Sequence, residues 1–155
     1  MTEVHAPSET WQLCEQLFQK HLRHNPLSIV LLSGEPGAGK TTFCRGFAAV
    51  MGIDQNINSP TFNLQNTYRG SRGCLKHCDL YRIADLHAVE ELGLANSWSE
   101  IEYAPTVVAI EWGEKAFPLM PDAPVYRVVI TVHNDESRDI RIEKRSSNGT
   151  FDPCN

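Results

Sequence analysis

The chain has 155 residues, with 14 Lys+Arg against 19 Asp+Glu and a net charge of −5 when His is neutral. This length suits one domain with its own core and excludes two large ones, while 41% hydrophobic and 21% charged residues fit neither a disordered chain nor a fibrous repeat. The negative balance would repel nucleic acid and anionic membranes, so any nucleic-acid partner has to be met through a local patch or another protein.

Residues 8–22 carry Trp11, Leu13, Cys14, Leu17, Phe18 and Leu22 at helical spacing, which predicts an amphipathic helix with Ser8 and Thr10 as candidate N-caps, stopped by Asn25-Pro26. Ser28–Ser33 is a nearly unbroken aliphatic run, the pattern of a strand buried on both faces. A glycine-rich turn, Gly34–Gly39, follows, and helical spacing resumes over Thr41–Met51 until Gly52 ends it. Thr61–Tyr68 and Cys74–Leu80 read as a strand pair around a turn at Arg69–Gly73. Asp85–Leu94 reads as a helix that stops near Gly93, and Thr106–Ile110 as a second buried strand. Val125–Val132 and Arg138–Lys144 alternate around His133–Ser137, predicting a hairpin. The ten residues from Ser146, SSNGTFDPCN, read as a frayed polar tail. The expected fold is α/β: one domain over residues 1–145 with a mostly parallel central sheet, antiparallel edge strands and helices on both faces, followed by the tail 146–155.

The five cysteines are odd in number and scattered, and no secretory apolar segment precedes them. That favours a reducing cytoplasm over a disulfide framework. The longest apolar runs, Ile29–Leu32 and Val107–Ile110, fall far short of the roughly 20 residues that span a bilayer.

Gly34-Glu35-Pro36-Gly37-Ala38-Gly39-Lys40-Thr41 fits the phosphate-binding pattern G-x-x-x-x-G-K-[ST] without a mismatch, between a buried strand and a helix as the mechanism requires. The glycines let backbone N–H groups turn inward around phosphates, and the helix dipole adds its positive end. Lys40 would reach the β- and γ-phosphates, and Thr41 would place its hydroxyl on Mg²⁺. Hydrolysis also needs carboxylates at neighbouring strand ends. Glu111 directly follows the strand Thr106–Ile110, and Asp79 follows Cys74–Cys78; the lesser alternative for each is an exposed strand-end acid. Ser59-Pro60-Thr61 lies where a nucleotide-sensing loop places a hydroxyl, although such a tripeptide can be a simple turn. Cys74, His77 and Cys78 supply only three ligands, in alternating directions along a strand, which argues against zinc.

With GEPGAGKTT at Gly34–Thr42, SPTF at Ser59–Phe62, HCDLYR at His77–Arg82, EELG at Glu90–Gly93 and Ile110-Glu111-Trp112 in this order, the sequence resembles the bacterial TsaE family over about Glu9–Lys144. The resemblance implies a small P-loop ATPase that works with TsaB and TsaD in making N6-threonylcarbamoyladenosine at position 37 of tRNAs reading ANN codons, and that meets tRNA only through those partners. It implies ATP and Mg²⁺ as ligands. Pro36, Gly37, Ala38, Gly39, Lys40, Thr41 and Thr42 would surround the phosphates. Thr41 and Glu111 would hold the metal, Asp79 would face the nucleotide and its water, and Asp79, Glu111 and Lys40 together would carry catalysis. Thr61 would belong to the γ-phosphate-sensing loop, Trp112 would border the site, and Glu9 and Thr10 would lie near the base. The chain departs from the family at Gly113-Glu114-Lys115 and over Asn96–Tyr103.

Two other readings share the phosphate loop. A small-molecule P-loop kinase would need lid arginines to clamp the transferred group, and Arg69 and Arg72 in the expected hairpin turn are the pair at hand. A nucleotide-gated binding module would lack significant turnover. A signalling GTPase does not fit, because the sequence has no Asn-Lys-x-Asp tetrapeptide.

Overall fold

The computed structural model of the chain describes residues 2–60, 64–102 and 105–154. In chain order the elements are β1 (Thr2–Val4), α1 (Pro7–Lys20), a 3-10 turn (Leu22–His24), β2 (Leu27–Ser33), α2 (Lys40–Val50), β3 (Gln65–Gly70) and β4 (Gly73–Asp79). There follow α3 (Leu86–Glu91), α4 (Leu94–Ser99), β5 (Thr106–Glu111), a 3-10 segment (Gly113–Leu119), β6 (Val125–Val132), β7 (Arg138–Arg145) and β8 (Phe151–Pro153).

The strands form one sheet in the order β1-β7-β6-β2-β5-β4-β3, with β8 pairing β7 beside β1. Its centre, β6-β2-β5-β4, is parallel, and β3, β7, β1 and β8 are antiparallel. This is the expected fold class. The aliphatic strands fill the centre because parallel strands covered on both faces need apolar side chains in both directions. Along β2, Val30 and Leu32 join α1 and α2 in one core, while Ile29 and Leu31 join α3, α4 and the 3-10 segment in the other. The same alternation puts Val107 and Ala109 of β5 on the α2 side and Val108 and Ile110 on the opposite side. Helices therefore cover both faces.

On the first face α1 and α2 meet at Gly46. A Cβ there would lie 2.5 Å from Cys14 Sγ, so only a residue without one allows this approach.

Several local expectations are corrected. Neither Ser8 nor Thr10 caps α1: Ala6 is the N-cap, Pro7 opens the helix, and the Glu9 carboxylate accepts from the backbone N–H groups of His5 and Ala6. The expected single helix over 85–94 is two short ones, because Gly93 takes φ +71° and turns the chain into α4. The expected strand over 61–68 runs from Gln65 to Gly70, and its first three positions lie outside the described residues. The frayed tail is also replaced. Residues 146–150 form a turn closed by Ser146 N–H donating to Thr150 C=O at 2.7 Å, and β8 then pairs Phe151 with Arg145 and Pro153 with Glu143. Phe151 packs on Phe117 at 5.9 Å between ring centroids, with the Arg127 guanidinium 4.1 Å from its ring. No helix among the described residues is long and apolar enough to cross a membrane.

Candidate active site

Strand β2 ends at Ser33, and the chain turns through Gly34–Gly39 into α2. Gly39 is the N-cap of α2 at φ +117°, outside the range of an L side chain, and Gly37 lies at φ +83°. Ala38 is buried beneath the loop. Its carbonyl accepts from Arg138 Nε of β7 at 2.6 Å, so the antiparallel edge of the sheet pins the loop. The loop thus aims the start of α2, with its unpaired N–H groups and positive dipole end, at the sheet edge. Lys40 is 93% buried by side-chain area. Its Nζ donates to the Gly34 carbonyl at 2.8 Å, lies 3.8 Å from Glu111 Oε1 and sits 4.8 Å from the Trp112 ring centroid.

Two acids reach the same edge by register. β4 and β5 run parallel with Asp79 opposite Glu111, and Glu111 is in turn opposite Leu32 of β2, one residue before the loop strand ends. Leu80 N–H donates to the Glu111 carbonyl at 3.0 Å, which ties the two strand ends together. One Asp79 oxygen accepts from Tyr81 N–H at 2.9 Å, an Asx-type turn that fixes the side chain. Glu111 Oε2 lies 2.7 Å from Nε2 of His77, and both side chains are buried. Burial alone would push the His77 pKa down, but the Cys44 thiol and the Glu111 carboxylate beside the ring raise it to about 10. Thr41 Oγ1 lies 2.9 Å from Ser59 Oγ.

These residues line one cavity of about 480 Å³, bounded by Pro36, Gly37, Gly39, Lys40, Thr41, Thr42, Ser59, Asp79, Tyr81, Glu111 and Trp112. Its donor set suits Mg²⁺: hydroxyl and carboxylate oxygens from Thr41, Ser59, Asp79 and Glu111, with no sulfur or imidazole in the lining. Trp112 holds a left-handed backbone at φ +59° and stacks on Tyr81 with ring centroids 5.3 Å apart. A second cleft, also about 480 Å³, shares Lys40 and Trp112 and adds Ser33, Glu35 and Glu114. Another cavity, of about 280 Å³ between α1 and the β7–β8 edge, includes Leu13, Lys20, Arg141 and Cys154 and none of the phosphate-loop residues.

Pro36–Thr42, Asp79, Glu111 and Trp112 therefore meet at one place, with Ala38 supporting the loop from below. Thr10 lies beside them, in a smaller cavity of about 100 Å³ with Gly39, Thr42 and Arg138. Glu9 is exposed and its carboxylate is turned onto its own helix start, which holds its pKa below the usual glutamate value through the His5 N–H. Thr61 lies outside the described residues. The sequence reading assigned no role to Tyr81, to Lys115, or to His77 as a partner of Glu111. Lys115 follows the acid-bearing strand by four residues, and its Nζ donates to the Leu80 and Ile83 carbonyls at 2.9 and 2.7 Å, bracing the loop that carries Tyr81.

The structure also separates groups the sequence left side by side. His77 shares its face with Leu75 and α2, whereas Cys78 belongs to the opposite core. Arg69 and Arg72 lie where β3 turns into β4, at the end of β4 away from Asp79. Arg69 pairs with Glu102 at 2.9 Å and Arg72 donates to the Ala49 carbonyl. That removes them as lid arginines of a kinase.

A family model described as threonylcarbamoyl adenosine biosynthesis protein TsaE matches residues 4–142. Proteins named tRNA threonylcarbamoyladenosine biosynthesis protein TsaE are similar at 41% identity in Nostoc sp., covering 74% of this chain and 69% of the relative, and at 38% in Treponema pallidum, covering 74% and 81%. A relative of the same name in Rickettsia felis is 36% identical and covers 97% of this chain and 84% of its own. The crystal structure of Bacillus subtilis YdiB superposes with a TM-score of 0.68 at 26% identity, covering 90% of this chain and 80% of that one.

Proposed function

The chain belongs to the TsaE family, and from that premise we propose that it is a Mg²⁺-dependent ATPase acting with TsaB and TsaD to form N6-threonylcarbamoyladenosine at position 37 of tRNAs reading ANN codons. The observation that carries this reading is the single cavity joining Lys40 and Thr41 of the phosphate loop to Asp79 and Glu111 on adjacent strand ends. Lys40 would neutralise the β- and γ-phosphates, and Thr41 and Glu111 would hold the metal. Asp79 orients water toward the γ-phosphate. Mg²⁺ held there would supply neutralisation of the phosphate charge. Thr61 would answer to the γ-phosphate. The protein works in the cytoplasm and influences tRNA through its protein partners, consistent with its net charge of −5.

Glu111→Gln keeps the side-chain shape and removes the anion, and Asp79→Asn does the same at the water. Each is expected to lower ATP hydrolysis in the presence of TsaB and TsaD by about a hundredfold or more, with ATP binding in EDTA changed little. Parental hydrolysis rates in both variants would place the working carboxylates elsewhere. Loss of the protein in its own cell is expected to remove the threonylcarbamoyl mark. Mass spectrometry of tRNA from a deletion strain with no second copy checks this, and undiminished modification contradicts the assignment.

A further inference from the structure

One buried polar side chain beside Glu111 is not itself among the residues that line the cavity. His77 is fully buried in β4, on the face that α2 covers, and its Nε2 lies 2.7 Å from Glu111 Oε2. The neighbour directly across on β5 is Ala109, whose small side chain leaves the path between the two groups open. A carboxylate only accepts, so Nε2 carries the hydrogen of this bond, and Nδ1 is buried without a hydrogen bond of normal geometry. The Cys44 thiol of α2 also lies beside the ring, but the hydrogen bond of normal geometry that the ring makes goes to one oxygen of Glu111. The other, Oε1, is left facing Lys40 and the cavity.

We propose that His77 is a positioning residue for the metal site: by holding Oε2 of Glu111 it presents Oε1 alone to the cation that accompanies the nucleotide. This rests on the reading that Glu111 serves the cation. The physical logic is that of outer partners around a metal centre, which fix a ligand's orientation and whose removal typically costs about 10- to 100-fold in metal affinity or activity. A Glu side chain has three rotatable bonds, and with Oε2 untied it would sample arrangements that turn Oε1 away from its position beside Lys40 and the cavity.

The test compares His77→Gln, whose amide N–H reaches as far as Nε2, with His77→Asn, whose shorter amide does not. Calorimetry of ADP binding to the full chain, in EDTA and across a MgCl₂ titration, supplies a readout independent of turnover. In EDTA both variants are expected to bind ADP within about twofold of the parent. The gain in ADP affinity on adding Mg²⁺ is expected to survive in the Gln variant and to shrink by about 10- to 100-fold in the Asn variant. Combining His77→Asn with Glu111→Gln is expected to add no further loss, because the two act as a unit.

Equal Mg²⁺ responses in the Gln and Asn variants, or a loss in EDTA as large as that in Mg²⁺, would overturn the inference while leaving the site reading intact. A parent protein whose ADP affinity ignores Mg²⁺ would overturn both.

Discussion

Lys40→Ala is expected to weaken ATP binding by roughly ten- to a hundredfold, the equivalent of about 1.5–3 kcal/mol for a lost charge-assisted contact, and to abolish hydrolysis. The Lys40 ammonium is buried, with the Gly34 carbonyl at 2.8 Å and the Trp112 ring beneath it. It has three donors, so it can hold the loop carbonyl and still meet a phosphate entering the cavity. No other cationic side chain lines that cavity among the described residues. Lys40→Arg should restore little, because a planar guanidinium neither fits the point-charge position nor the space over Trp112. Calorimetry on the folded variant checks this, and parental ATP affinity in Lys40→Ala would remove the phosphate-loop assignment.

The parts of the fold that were legible in the sequence are those where one physical demand acts alone. β2 and β5 are buried on both faces, so their aliphatic runs announce them, and the phosphate loop carries its own pattern between β2 and α2. β1 and β8 were not legible, because three-residue strands that only finish the edge of β7 need no hydrophobic period. α4 escaped because just Leu94 and Trp98 of its six residues are buried, too few to show helical spacing. Nor did any pattern mark the 3-10 segment after Trp112, which contains Pro118 and is held by packing of Ala116 and Phe117.

At the site, sequence order placed Glu111 and Asp79 at strand ends, but only the pairing of β4 with β5 shows that they stand opposite each other. His77 was a harder case. With Cys74 and Cys78 it offered only three possible ligands in alternating directions, which argued against zinc but left its role open, and the deciding fact is alternation: residues 75, 77 and 79 share the α2 face with Glu111 while Cys78 turns away. A histidine two residues ahead of the candidate acid Asp79 on the same strand, and so on the same face, was the available signal. Ser59 was similarly ambiguous until its hydroxyl was seen at 2.9 Å from that of Thr41.

Trp98→Ala is expected to be the most damaging substitution for stability. Trp98 is fully buried, fills the core opposite α2, and donates from Nε1 to Gln65 Oε1 at 3.1 Å. A six-residue helix does not hold itself together in water, so α4 depends on this ring. Lys76 depends on α4 in turn: its buried Nζ donates to the Ser97 and Glu100 carbonyls at 2.6 and 2.7 Å, and a buried cation deprived of such partners is costly. Truncation should cost about 3–5 kcal/mol of a total stability of roughly 5–15 kcal/mol, a fall in Tm of roughly 6–20 °C for a chain of this size. Because Trp98 and the phosphate loop pack on opposite faces of the sheet, the folded fraction should keep most of its affinity for ATP, and saturating ATP should recover part of the lost Tm. Tyr81→Ala, at a side chain 62% exposed, should by contrast move stability by no more than about 0.5 kcal/mol. Thermal melts of both variants with and without nucleotide measure this contrast, and an unchanged Tm in Trp98→Ala would mean that α4 is no part of the core.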